Sequence, residues 1–395
     1  MSQKFITLLL ALLLGIQPVA TDLYLSALPN IQTDLLATIG QTQLTLSVMM
    51  LAFGISQMFL GPLSDRFGRK PVLLWGVALF TLSGIAMAFV STITGLIALR
   101  ALQGVGMGAA VMSGRAVLRD LFEPEPGAIV MSKALTGLGL SALACSVLGS
   151  AAAEYLGWRY TLAIMGLFGL VLWLMLLARF QETLQIRNVN ALQWRALFSN
   201  WRAIFAHPAF LSYSMISTFS FCALITFLAG SPFVLIKMMG LSKLEFGLCL
   251  FFMPIFYISG TFYCRRLLRR CGLQSAVKRA AWLLIVPGMA TGIFAILGMQ
   301  NLWCIILPFY LYMVGHGVMQ SCGQTGAVAH FPEKAGVASA LNGFMMMVFA
   351  FGMTLWLGAN LGDNPSAMML GMAFWCVLTS VVAWFVVPRF GKLPA

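Results

Sequence analysis

Twelve apolar runs of about 20 residues follow one another along this chain, and no soluble fold absorbs that many. A helix rises about 1.5 Å per residue, so about 20 residues cross the roughly 30 Å hydrocarbon core of a bilayer. The runs lie near 5–28, 42–61, 71–90, 95–118, 129–152, 160–180, 208–230, 244–264, 280–298, 302–325, 337–358 and 366–387. Only 9% of the 395 residues are charged and 60% are hydrophobic. A soluble domain carries about a quarter charged residues, so lipid is the solvent for much of this chain. The pattern predicts an all-α membrane protein of twelve transmembrane helices.

Charge placement gives orientation. With the N-terminus inside, Lys4, Arg66, Arg69, Lys70, Arg119, Arg179, Arg187, Arg195 and Arg202 fall on one side. The same side collects Arg265, Arg266, Arg269, Arg270, Lys278, Arg279, Lys334, Arg389 and Lys392. The opposite loops keep Arg159, Lys237 and Lys243. By the positive-inside rule both termini are cytoplasmic. The same scatter over loops accounts for the net charge of +13 without nucleic acid, which usually meets a clustered basic patch. Lys4 before an apolar run has the look of a signal peptide, but no cleavage site precedes a soluble domain, so the run reads as the first span. Of eight cysteines, all but Cys271 lie in predicted spans with no C-x-x-C pair, which suits buried apolar residues rather than disulfides or metal ligands.

Residues 181–207 form the longest polar interval and separate six spans (residues 1–180) from six more (208–395). Within it Trp194, Leu197, Phe198, Trp201, Ile204 and Phe205 recur at helical spacing, with Arg195 and Arg202 between them. That pattern fits an amphipathic interfacial helix or a plain linker with aromatic anchors. The halves echo one another. Gly61 to Arg69 has a weaker counterpart in Gly260 to Arg266, and Phe122 to Gly127 parallels Phe331 to Gly336. Two six-helix repeats place a substrate path near the midplane.

Ten of the eleven acidic residues lie in loops or near span ends; Asp22 is embedded in the first span. An acid there costs about 2.5–3.5 kcal/mol on insertion scales and is a functional candidate by default. Arg100 is the other embedded charge, in the fourth span. Counting from the span ends, Asp22 lies roughly 9 Å deep and Arg100 roughly 7–8 Å, a match that permits an ion pair. A protonatable acid near a fixed cation can load and release a proton as its surroundings open and close; the alternative is a static pair joining two spans. Among uncharged groups, His316 and Gln320 share a stripe of the tenth span with Gln324. Together with Tyr24, Gln57, Gln103 and Asn342 they either line a cavity or tie helices together.

The loop after the second span reads Gly61-Pro-Leu-Ser-Asp65-Arg66-Phe-Gly68-Arg69-Lys70-Pro. It resembles the loop between the second and third helices of the major facilitator superfamily, G-x-L-x-D-R-x-G-R-[RK]. The stretches Thr21-Asp22-Leu-Tyr24-Leu-Ser-Ala-Leu-Pro29, Arg100-Ala-Leu-Gln103-Gly104, Arg119-Asp120, Trp158-Arg159, Glu182-Thr183-Leu184, Gly230-Ser231-Pro232-Phe233-Val234 and Phe331 to Ala340 are similar to the Bcr/CflA drug-resistance transporters. That resemblance implies two pseudo-symmetric six-helix bundles in a bacterial inner membrane and proton-coupled export of drugs or other small amphipathic compounds. It further implies a conformational gate of Gly61, Asp65, Arg66, Gly68, Arg69, Lys70 and Asp120. In that gate Arg69 pairs with Asp120, and Asp65 docks at the start of the eleventh span near Ala335 to Ser339. The chain departs from the pattern at Ser26, where relatives usually have proline. It departs again at Gly137 to Gly149, which keeps glycines but lacks the proline of the G-P-x-x-G signature associated with antiport.

The reading is therefore a transporter and not an enzyme, with Asp22 and Arg100 as the proton-coupling pair. Its partners are protons, lipid and a small molecule, with no nucleic acid, and a monomer is expected. No G-x-x-x-x-G-K-[ST] loop is present, so a proton gradient rather than ATP or another cofactor is the expected energy source. A dedicated exporter or symporter of a nucleoside, sugar or amino-acid derivative is the rival.

Overall fold

Helices begin where the chain supplies caps. The computed structural model describes residues 1–185, 187, 191–299, 301–362 and 364–391, which leaves Lys392 and residues 186 and 188–190 of the linker outside the described residues. Ser2 caps α1 (Gln3–Leu25), and a Thr38–Gln41 capping box opens α3 (Ile39–Phe67) after the short α2 (Leu28–Asp34). Then come α4 (Arg69–Met87), α5 (Ile93–Leu121), capped by Thr92, α6 (Pro124–Tyr155) and α7 (Trp158–Arg179). The linker carries α8 (Trp194–Phe205), so its aromatic periodicity does form a helix, burying Leu197, Trp201 and Ile204 while Arg195 and Arg202 stay exposed.

The second half runs α9 (Pro208–Ser231), a π-helical turn at Pro232–Met238, α10 (Lys243–Ala280) and α11 (Trp282–Ile296). It ends with α12 (Leu302–Val328), α13 (Ala335–Asn360), α14 (Ser366–Val381), a second π-helical turn at Val382–Val386 and α15 (Val387–Phe390). Among the described residues, eleven helical stretches are long and apolar enough to cross a membrane, and one of them, Lys243–Ile296, contains both the eighth and ninth expected spans. The basic stretch expected as a loop after residue 264 is instead helical to Ala280, bent at Gly272 where φ is 72°.

Contacts divide the chain into two units. One holds Met1–Trp194 with Ser242–Phe251, the other Arg195–Leu241 with Phe252–Ala395. In the first, α1 packs on α6 and α5, and α4 on α5 and α7; in the second, α9 packs on α13 and α12, and α11 on α12 and α14. These are the same pairings six spans apart, so the internal repeat read in the sequence is also a repeat of packing. Apolar side chains such as Leu82, Phe89, Leu167, Phe252 and Phe374 remain exposed along these helices, a surface matched to lipid.

Candidate functional site

The first unit buries two charges. Arg100 on α5 is fully buried, and its guanidinium lies over the Tyr24 ring, 3.5 Å from the centroid. Its Nη1 donates to the Ala20 carbonyl at 2.9 Å and to Gln103 Oε1 at 2.7 Å. Tyr24 donates in turn to Thr45 Oγ1 at 2.6 Å, because Thr45 gives its own proton to the Thr42 carbonyl. Gly104 lets α5 approach this closely: a Cβ there would run into the Met49 carbonyl of α3. Gln57 is buried on α3.

Asp22 is also buried but makes no ion pair with Arg100. Its carboxylate accepts a hydrogen bond from Thr21 Oγ1 at 2.9 Å. The reason is helical phase. At about 100° per residue, Ala20 and Tyr24 share a face of α1, whereas Asp22 points roughly 160° away from both. Asp22 continues the row of Ala11 and Gly15, which meets α6 at Gly137 and Ser141. Matched depth therefore does not bring the two charges together.

The Asp65 loop is a closed network. Arg69 Nε and Nη2 grip the Asp120 carboxylate at 2.9 and 3.4 Å, while Nη1 reaches Asp65 at 2.5 Å and Ser64 Oγ at 2.6 Å. Thr183 Oγ1 adds a third bond to Asp120 at 3.1 Å. Glu182 then caps α4, accepting from the backbone N–H of Arg69 at 2.9 Å and of Lys70 at 3.1 Å. Gly68 makes room, since its φ of 108° and ψ of 157° suit only glycine and a Cβ would sit 2.5 Å from Glu182 Oε2. Arg66 is exposed beside Phe67, Lys70 and Gly61 are half-buried, and neither basic side chain joins the network. In the sequence Glu182 and Thr183 belong to the resemblance without a place in the gate that it implies. A carboxylate just past a predicted span end, facing an uncapped helix start, was the available signal.

In the second unit His316, Gln320 and Asn342 are buried and bonded between helices. His316 Nδ1 meets Ser220 Oγ at 2.7 Å and Tyr312 Oη at 3.1 Å, while Tyr312 donates to the Ser220 carbonyl. Gln320 donates to the Ser217 carbonyl at 2.8 Å, and Ser217 donates to Asn342 Oδ1 at 3.0 Å. These bonds stitch α9 to α12 and α13, the tie between helices that their position left open.

Membrane-length helices in two repeated bundles, with buried charges and a clamped loop, define a polytopic membrane protein of the transporter class. The chain belongs to the Major Facilitator Superfamily, whose family model matches residues 10–355. Its members are transporters rather than enzymes, which implies a small-molecule substrate and a membrane setting. Curated relatives include a bicyclomycin resistance protein homolog of Haemophilus influenzae, 27% identical over 98% of this chain and 97% of that one. Multidrug resistance protein D of Escherichia coli strain K12 is 29% identical over 85% and 84%. Multidrug resistance protein MdtL of Escherichia coli O17:K52:H18 is 30% identical over 98% and 96%. Among solved structures, a D-xylose-proton symporter superposes with a TM-score of 0.77 at 16% identity, covering 100% of both chains, which speaks to the fold. A partially occluded inward-open xylose transporter, XylE from Escherichia coli, gives 0.79 at 15% identity over 100% and 99%.

Proposed function

We propose that this chain exports drugs or other small amphipathic compounds across a bacterial inner membrane in exchange for protons, by alternating access and as a monomer. The observation that carries the reading is Asp22, a buried carboxylate whose bonded partner is a neighbouring threonine. A group so placed is costly unless it takes up and gives back a proton. The relatives' resistance titles support export of drugs as the use to which that proton is put. In this reading both termini are cytoplasmic, and the Asp65–Arg69–Asp120 network, with Glu182, closes the cytoplasmic side in one state and loosens in the other. The gradient supplies about 2.3 kcal/mol per charge per 100 mV, enough to drive accumulation without a cofactor.

The test uses inverted membrane vesicles with an imposed proton gradient, comparing wild type with Asp22→Asn. Lipophilic cations, neutral drugs and nucleosides are added while the internal pH is followed. Proton release triggered by drugs in wild type and absent in Asp22→Asn is the expected result. Release in response to nucleosides alone would assign a metabolite carrier, and full coupling in Asp22→Asn would remove Asp22 from the mechanism.

A further inference from the structure

Three sides of the Arg100 guanidinium are already fixed. Its face lies on Tyr24, and Nη1 is held by the Ala20 carbonyl and Gln103 Oε1. The remaining edge, Nε with Nη2, has no hydrogen-bond partner although both atoms are buried, and the adjacent Gln103 Nε2 is likewise unpartnered. Leaving charged donors dry and unpaired is among the most expensive arrangements a protein interior can hold.

The same edge does visible work elsewhere in this unit. Arg69 uses Nε and Nη2 to grip the two oxygens of Asp120. Two parallel N–H groups match the two oxygens of a carboxylate in a way a lysine ammonium cannot. Arg100 presents the same fork with no hydrogen-bond acceptor on it. No acid of the unit fills the role among the described residues. Asp22 faces α6 from the far side of α1. Asp34, Asp65, Asp120, Glu123, Glu125, Glu154, Glu182 and Glu245 lie at helix ends or in the linker.

We propose that the Nε–Nη2 edge of Arg100, backed by Gln103 Nε2, is a recognition fork for a planar two-oxygen group on the transported compound, a carboxylate above all. Tyr24 and Ala20 pre-orient the fork, so the site meets its ligand without reorganising the guanidinium. The edge is closed to water in this conformation and opens when the surrounding helices part during transport. The proposal deepens the export reading by naming a substrate class, and it rests on that reading only for how the compound arrives.

The test is equilibrium binding to the purified full-length protein in detergent and chloride-free buffer. The probes are one lipophilic aromatic scaffold carrying a carboxylate, a nitro group or a hydroxymethyl group. Wild type is expected to bind the carboxylate at least about tenfold tighter than the alcohol, with the nitro compound between them. Arg100→Lys keeps the charge but removes the fork, and the preference for the carboxylate over the alcohol should fall below about threefold. Gln103→Met, which keeps the volume, should lower the preference less and serves if the lysine variant does not fold. Equal binding of carboxylate and alcohol by wild type, or a preference retained in Arg100→Lys, overturns the proposal. Binding is read without a gradient, so a failure of proton exchange would remove the export reading and leave this result standing.

Discussion

Replacing Gly68 by alanine tests how the Asp65 loop is held. At φ 108° and ψ 157° only glycine is comfortable, and any other residue costs about 1–3 kcal/mol in backbone strain. The new Cβ would lie 2.5 Å from Glu182 Oε2 and push the carboxylate off the Arg69 and Lys70 amides. Loss of a helix cap is worth about 0.5–2 kcal/mol, and Glu182 is exposed, so about 1 kcal/mol is the appropriate share. Gly68→Ala should therefore cost about 2–4 kcal/mol and Glu182→Ala about 1. The double variant should cost no more than Gly68→Ala by itself, because the cap can be lost only once. Equilibrium unfolding of the purified protein in mixed micelles measures all four states of the cycle. Additive costs, within about 0.3–0.5 kcal/mol, would mean that Gly68 does not make room for Glu182 and would refute the reasoning.

Two further outcomes follow from other contacts. Gly104→Val drives a branched side chain into the Met49 carbonyl of α3, and overpacking of this kind costs about 1–3 kcal/mol, read by the same unfolding assay. His207, just ahead of α9, has its ring centroid 4.7 Å from that of His330, the two rings tilted by 45°. Burial first, and then His330, hold its imidazole below the ordinary value near 6.5, so the folded state binds fewer protons than the unfolded chain. Its contribution is complete above that value and is lost as pH falls below it towards the depressed folded value. Thermal unfolding scanned from about pH 7.5 to 5.5 should show a falling midpoint in wild type and a shallower fall in His207→Gln.

Much of this protein is written in its order of residues. Lipid demands that every backbone polar group be satisfied within its own segment, so run length alone gives helices and their spacing. The rarity of charge in such runs singled out Asp22 and Arg100, and a dense polar loop marked Asp65 to Lys70, before any packing was known. What the order of residues does not carry is which face of a helix meets which neighbour. Asp22 and Tyr24 are two residues apart, yet one faces α6 and the other meets α5, so the acid and the arginine do not touch. Glu182 returns to cap a helix more than a hundred residues earlier, and His316, Gln320 and Asn342 spend their hydrogen bonds between helices. Transfer to lipid depends on a segment's own composition and is local, whereas helix phase and pairing are fixed by side chains distant in the chain. Only the tertiary structure brings those together.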